Sequence, residues 1–312
     1  MFWVGLSIRG GGIDSPRPAS QRAAAFILTA AMLTTLAAPA FAGTWSIEDG
    51  DITISAGESG NDVTQKGTTT KNDTGTIITG TSNENTVTID TSKGNVDVTF
   101  DDLNIDTSSR DKAAVSVTGK GDTNIELDGD NELKSGRSHA GLEHNKTDTS
   151  GKLTIQDVGN DGSLDATGGR GGAGIGGGMS KDGQATITGG TITANGGMLA
   201  SGIGGGAGSR IGKIIGSGDV EITGGTITAT GNSGGAGIGG GLSGDGNVRI
   251  SGGTIISAVS DGSDYGGAGI GGGHGGGGHV TITGDATVKE AQGFGGGAGI
   301  GLSLIHISEP TR

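Results

Sequence analysis

Residues 185–193 read ATITGGTIT, and the same pattern returns as VEITGGTIT at 220–228, VRISGGTII at 248–256 and VTITGDATV at 280–288. Between these stretches stands a second phrase, AGIG, at 173–176, 236–239, 268–271 and 298–301, with SGIG as a variant at 201–204. The isoleucines of this phrase follow one another at 28, 35, 32 and 30 residues. Self-similarity at such a period is the sequence signature of a solenoid.

Each repeat contains three short runs in which apolar and polar residues alternate, separated by Gly, Asp or Asn turns. One repeat cannot bury its own isoleucines, but stacked repeats can. We expect the inward isoleucines of one repeat to lie beneath those of the next, as Ile175, Ile187 and Ile192 would lie beneath Ile203, Ile222 and Ile227. The predicted fold class is therefore all-β, a parallel β-helix (β-solenoid) with about three short strands per turn.

The composition supports a thin aliphatic core. Of 312 residues, 72 are glycine and only 3% are aromatic, so a compact globule with an aromatic core is not expected. A helix-rich fold is excluded because an interior glycine costs about 1 kcal/mol in a helix. The alternative is a glycine-rich disordered linker. A linker, however, has no reason to keep isoleucine at fixed offsets from Gly-Gly.

The first 42 residues are predicted to be a signal peptide with a signal helix. Arg17 and Arg22 precede an apolar run from Ala23 to Ala38, and Ala40-Phe41-Ala42 is a small-x-small cleavage site. The mature chain then starts at Gly43. A membrane anchor is the alternative, but the run is shorter than the ~20 apolar residues that a spanning helix needs.

Composition divides the remainder. Residues 43–167 form a degenerate, acidic half of the solenoid, and residues 168–301 form a regular, glycine-rich half. The last segment, 302–312, has no glycine and resembles the translation of a sequencing-library adapter. We therefore treat 302–312 as a non-native tail and expect the natural protein to be longer, so that this chain is a fragment.

The charge balance bears on partners and compartment. Residues 43–301 hold 16 basic and 31 acidic residues, a net charge of −15. Nucleic acid needs a basic face, so it is not an expected partner, and the mature part is not expected to insert into a membrane. The chain has no cysteine, which fits a secreted protein that does not rely on disulfides.

The AGIGGG and TITGGTIT phrases resemble the glycine-rich parallel β-helix repeats of bacterial surface proteins described as carbohydrate-binding-domain, adhesin-like or autotransporter-like. The resemblance spans most of 43–301. It implies an extracellular or cell-surface location, with glycans or host or cell-surface components as partners. It does not imply a specific ligand, because repeat likeness reports the fold more than the site.

The candidate ligand-binding residues are mostly threonines in Thr-x-Thr pairs beside the Gly-Gly turns. Successive strand side chains alternate between faces, so these threonines would point outward and stack into a ladder of hydroxyls. Such a flat polar face suits a glycan or, less readily, ice, although threonine is also common on solvent-facing strands with no binding role. The candidates are Thr186, Thr188, Thr191, Thr193, Thr226, Thr228, Thr281, Thr283 and Tyr265.

No cofactor or metal site is expected. Gly172–Gly177 satisfies G-x-G-x-x-G, but no helix follows it to aim N–H groups at a phosphate. The stretch from Asp157 echoes a calcium loop but has Gly159 and Gly168 at two ligand positions. Weak Ca²⁺ binding at acidic turns such as 128–132 is the metal alternative that remains open.

Catalysis is not expected either. Asp101-Asp102 and Gly273-His274-Gly275 resemble fragments of polysaccharide-cleaving β-helix enzymes. An acid and a base must share one face, and these fragments are more than a hundred residues apart.

The sequence therefore favours a secreted or cell-surface solenoid with a structural or adhesive role. The first alternative is a carbohydrate-binding module that uses the threonine ladder and Tyr265. The second is a partial polysaccharide-active enzyme. The open edge at Gly301 also predicts end-to-end self-association or fraying.

Overall fold

The computed structural model describes residues 42–208, 216–262 and 265–301. These residues form an all-β parallel β-solenoid of about eight coils, which confirms the predicted fold class. The predicted signal helix before Ala42 and the tail at 302–312 lie outside the described residues. In the described part, no helix is long and apolar enough to cross a membrane.

The strands are short and follow one another in a regular order, with one 3-10 turn at Ile47–Asp49. The N-terminal strands are β1 (Thr44–Ser46), β2 (Ile52–Ala56), β3 (Asn61–Gln65), β4 (Thr68–Asp73), β5 (Ile77–Ser82), β6 (Val87–Asp90), β7 (Val96–Asp106) and β8 (Val115–Thr118). The middle strands are β9 (Thr123–Asp128), β10 (Asp130–Lys134), β11 (Leu142–His144), β12 (Leu153–Gln156), β13 (Ser163–Thr167), β14 (Ile175–Gly176), β15 (Gly183–Ile187), β16 (Thr191–Met198) and β17 (Ile203–Gly204). The C-terminal strands are β18 (Gly218–Ile222), β19 (Thr226–Asn232), β20 (Ile238–Gly239), β21 (Gly246–Ile250), β22 (Thr254–Asp261), β23 (Ile270–Gly271), β24 (Gly278–Ile282), β25 (Thr287–Val288), β26 (Ala291–Gln292) and β27 (Ile300–Gly301).

Three faces run along the solenoid. Face A is the 11-stranded sheet that runs from β2 and β6 to β27. Faces B and C share the second sheet, because the long strand β7 pairs with β9 at its start and with β10 at its end. Face B continues through β12, β15, β18, β21 and β24, and face C through β13, β16, β19, β22 and β25. Coils 3 to 8 each run through B, C and A in turn, with coil 3 formed by β9, β10 and β11.

The core is a stack of aliphatic columns, as predicted. In coils 5 to 7 the in-register inner columns are Ile203, Ile238 and Ile270 on face A, Ile187, Ile222 and Ile250 on face B, and Ile192, Ile227 and Ile255 on face C. Each of these side chains is at most 1% exposed. Burying an isoleucine is worth about 1.5–3 kcal/mol, so every coil is stabilised by its neighbours rather than by its own contacts.

The second glycine of AGIG is required by the coil-to-coil spacing. Gly239 has φ 132°, a conformation that side chains other than glycine rarely adopt. A Cβ on Gly239 would lie 1.9 Å from the carbonyl oxygen of Gly271 in the next coil. The equivalent glycines in coils 4, 5 and 7 have φ values of 127°, 125° and 136°. The phrase therefore repeats because each copy stacks its backbone directly on the next.

The N-terminal coils depart from the three-strand pattern. The sequence predicts separate runs at 95–98 and 103–105, but both belong to the single strand β7, which passes from face B to face C at Asp102 (φ 49°). The strands β3 and β4 form an antiparallel extension of face A beyond β2, which repeat analysis does not predict. This extension covers the first edge of face A.

Candidate functional site

Two columns of hydroxyls run along face C. The first consists of Thr191, Thr226, Thr254 and Thr287, which pair in register from coil 5 to coil 8. The second consists of Thr193, Thr228 and Ser257, with a bulge at Ile256 before the serine. The structure thus brings four predicted threonines together and adds Thr254, Ser257 and Thr287. Ser257 was missed because the extra residue in β22 shifts the repeat by one.

A third column stands at the turn between faces B and C. Thr188, Thr223, Ser251 and Thr283 occupy the same position in successive coils. The backbone N–H of each donates to a carbonyl of the preceding coil, as Thr223 does to Ile187 at 2.9 Å. Thr188 and Thr283 are exposed, so this column continues the polar surface of face C around the turn.

The threonines of face B do not form a continuous ladder. Thr186 and Thr281 occupy one column, but Glu221 and Arg249 stand between them in coils 6 and 7. The sequence carries this signal, since the ATI of the first repeat becomes VEI and VRI in the next two. In coils 6 and 7 this column of face B is therefore charged, whereas the two hydroxyl columns of face C are neutral.

Thr186 lies in a cleft rather than on an open face. The loop after β11 extends along face B, where Lys146 Nζ lies 2.6 Å from Asp219 Oδ2, and the Lys146 N–H donates to the Asp182 carbonyl at 2.8 Å. The cleft has a volume of about 250 Å³. Its other lining side chains include Lys152, Gln184 and Glu221, so it is polar and carries both signs of charge. Repeat analysis could not find it, because the loop is an insertion.

Tyr265 lies apart from the threonine columns. It is in the loop between β22 and β23, where its ring meets the ring of His274 edge-on with centroids 5.3 Å apart. It is 45% exposed. Met198, the last residue of β16, and Phe294, which follows β26, are also exposed between faces C and A. These exposed aromatic and apolar side chains therefore lie on a different edge of the solenoid from the hydroxyl columns.

Acidic side chains lie at the turn between faces B and C in the first coils. Asp101 and Asp128 pair in register, and loss of hydration together with the charges of Asp128 and Asp102 raises the pKa of Asp101. Asp102 Oδ1 accepts the N–H of Asp130 at 2.9 Å, so it caps the turn. The Ser108 hydroxyl and N–H lower the pKa of Asp106 by donating to its carboxylate.

In the turn from Asp157 that partly matches a calcium loop, the first carboxylate accepts hydrogen bonds from backbone N–H groups of the same turn. Asp157 accepts the N–H groups of Asn160, Asp161 and Gly162 at 2.6 to 3.3 Å. Across the described residues, no group of three or more histidine, aspartate or glutamate side chains has an arrangement that would hold a metal ion.

One histidine is part of the fold. His144 is 2% exposed at the end of β11, and its Nδ1 lies 3.2 Å from the Gln184 carbonyl oxygen. Burial lowers the pKa of His144, since it disfavours the charged imidazolium. Neighbouring Glu143 accepts from His139 Nδ1 at 2.9 Å and from the Ala140 N–H at 3.1 Å.

The two fragments that resemble enzyme motifs are far apart. Asp101 and Asp102 lie on β7, which belongs to coil 2, the coil directly before β9–β11, while His274 follows β23 in coil 7. Five coil spacings at roughly 4.8 Å separate them by about 24 Å along the axis. They do not share one site.

The stacked coils and the continuous columns on face C define a parallel β-solenoid. A family model described as a beta helix repeat matches residues 160–179, 186–207, 220–242, 248–274 and 280–303. The matched segments follow coils 4 to 8 and together make up less than half of the chain. The chain thus carries β-helix repeats. No curated protein and no solved structure matches it.

Proposed function

We propose that this protein is exported and acts outside the cell as a rigid β-solenoid with a structural or adhesive role. The observation that carries the proposal is the continuous surface of hydroxyl columns on face C and its turn, presented by a backbone that is hydrogen-bonded from coil to coil. A rigid array of identical groups allows many weak contacts to act together, and such multivalency gives strong attachment without one deep pocket.

Export is tested by locating the protein and determining its N-terminus. The full chain is expressed in a bacterial host, the cytoplasmic, cell-surface and extracellular fractions are separated, and the intact mass of the protein in each fraction is measured by mass spectrometry. The proposal expects a chain that starts at Gly43 in those fractions. Retention in the cytoplasm with all 312 residues would contradict it.

A second candidate function is glycan binding by face C. Thr226 and Thr228 stand side by side on β19 with Thr191 and Thr193 below them, so neighbouring hydroxyls form a two-dimensional array. Hydroxyls donate and accept hydrogen bonds, as sugars do. The array has no aromatic side chain at its centre, since Tyr265 lies on another edge. We therefore expect weak contacts repeated over several coils rather than capture of one sugar.

A glycan array separates the two candidates. Saturable binding that free sugar competes away supports the glycan site, and Thr226→Lys with Thr228→Lys should then abolish it. The matched control is Thr53→Lys with Ser55→Lys, which places two lysines on one strand of face A. Equal loss in both variants would show a charge effect and refute face C as the site. No binding at all would leave the structural role.

We also propose that this 312-residue chain self-associates end to end through the exposed edge of coil 8. Ile282 and Ile300 belong to inner columns but are 37% and 47% exposed there. Light scattering after size exclusion should give an associated species that Ile300→Asp converts to a monomer, and a monomer at high concentration would contradict it.

A further inference from the structure

A carboxylate is buried at the N-terminal end of the fold. Asp73, the last residue of β4, has 0% exposure. Its Oδ1 accepts the backbone N–H of Gly43 at 2.9 Å and that of Gly75 at 3.2 Å. Its Oδ2 accepts Trp45 Nε1–H at 2.8 Å. This one side chain therefore joins the β3–β4 extension to the residues that begin β1.

Among the described residues, Asp73 has three neutral donors. Within residues 42–208, 216–262 and 265–301, no lysine, arginine or histidine nitrogen lies within 4 Å of its carboxylate. Burying a charged carboxylate is costly unless it is both hydrogen-bonded and paired. The backbone nitrogen of Gly43, which donates to Asp73, would become a positively charged amine if the chain began at this residue.

A side chain at position 43 would displace the side chains of Asp73 and Trp45. A Cβ there would lie 2.6 Å from Asp73 Oδ2 and 2.6 Å from Trp45 Nε1. The Gly43 carbonyl also accepts the Ile77 N–H at 2.9 Å, which fixes the residue on both sides. The small-x-small pattern independently places signal cleavage between Ala42, which is exposed, and Gly43, which is buried.

We propose that cleavage of the Ala42–Gly43 bond creates the missing cation, and that the new Gly43 ammonium forms a buried ion pair with Asp73. A signal-peptidase-type endopeptidase would hydrolyse the bond with one water molecule. Ala42 leaves with the carboxylate, and the amine left on Gly43 takes up a proton near neutral pH. The inference rests on the proposed export, since it gives a structural use to the processed end.

Processing then strengthens the start of the solenoid. In the uncleaved chain the Gly43–Asp73 contact is one neutral amide donor to a carboxylate. The acceptor is a carboxylate, so this hydrogen bond is already charge-assisted. Cleavage makes the donor charged as well, which turns the contact into a buried ion pair. The β3–β4 extension is thereby held to β1 more strongly once the leader has been removed at this bond.

The test compares chains that start one residue apart. Residues 43–312 and 42–312, both within the compact unit from Phe41 to Arg312, are released from the same removable fusion, each with Asp73 or with Asp73→Asn. An α-amine acylating reagent at pH 6.5 reports access to the N-terminus by intact mass. Gly43 should react about tenfold or more slowly than Ala42, because it is protonated and buried.

The melting temperature provides a second readout. The 43–312 chain should melt about 2–6 °C above the 42–312 chain. Asp73→Asn should remove both differences. If that variant does not fold, the two unmutated chains still decide, since equal acylation rates and equal melting temperatures would overturn the ion pair. A different N-terminus on exported protein would refute cleavage at Ala42–Gly43 and leave export standing, whereas the purified pair tests the contact itself.

Discussion

Truncation of one inner isoleucine tests how the coils stabilise each other. Ile227 is fully buried and lies in register between Ile192 and Ile255 on face C. Replacing a buried isoleucine by alanine costs about 2–5 kcal/mol, depending on how far the site collapses. The flanking strands are held by backbone ladders and cannot close the gap, so we expect Ile227→Ala to cost about 3–4 kcal/mol.

The matched control is Ile282→Ala. Ile282 belongs to the equivalent face B column but is 37% exposed in coil 8, so its truncation should cost about 1 kcal/mol. With roughly 2–4 °C per kcal/mol, the melting temperature should fall by about 6–16 °C for Ile227→Ala and at most about 4 °C for Ile282→Ala.

Hydrogen exchange locates the damage, because a solenoid unfolds by neighbouring units rather than all at once. Protection should fall first in β16, β19 and β22. Ile227→Asp, which buries a charge, should unfold these coils outright. Equal, small effects at both positions, or unchanged protection in β19, would refute the stacked aliphatic core.

Three further outcomes are expected from thermal or denaturant unfolding. Gly239→Ala should destabilise the fold severely, because the new Cβ would lie 1.9 Å from the carbonyl oxygen of Gly271. In the control Gly296→Ala, the new Cβ meets no atom within 4 Å, so this variant tests backbone strain alone. Equal losses of stability in the two variants would contradict the close stacking of coils. The lowered pKa of His144 contributes stability that is present above about pH 6.5 and is lost as pH falls through the folded-state pKa. His144→Gln should therefore reduce the loss of unfolding free energy on acidification. An unchanged pH dependence of stability would count against this role. The raised pKa of Asp101 gives stability below about pH 3.9 that is lost as pH rises through the folded-state pKa, so Asp101→Asn should stabilise the fold at pH 7. The pKa of Asp106 is lowered instead, so Asp106→Asn should destabilise the fold at the same pH. Stability changes of the same sign in the two variants would refute the assignment.

The regular half of the fold could be predicted from the sequence because each repeat states the same information. Ile at fixed offsets from Gly-Gly predicts the columns, and the face A column continues into the degenerate half, where Leu142 pairs with Ile175. Stacking needs in-register copies, so a repeated pattern determines the register once one copy is placed.

What does not repeat could not be predicted in this way. The β3–β4 extension, the Asp73 contact and the loop of Lys146 each occur once and depend on contacts between distant residues. The candidate site was predictable in part. The face C columns follow from the Thr-x-Thr pairs, whereas the position of Tyr265 depends on loop geometry that strand alternation does not describe.

Cross-linking measures the register itself. Thr193 and Thr228 are half-buried partners on adjacent strands of face C, and the native sequence has no cysteine. Adjacent in-register residues lie about 4.8 Å apart, within the span of a disulfide, whereas a pair offset by two residues lies about 8 Å apart, beyond it. The account predicts that Thr193→Cys with Thr228→Cys forms an intramolecular disulfide on mild oxidation and that Thr193→Cys with Thr226→Cys does not. Bridging of the offset pair but not of the aligned pair would contradict the parallel, in-register stack.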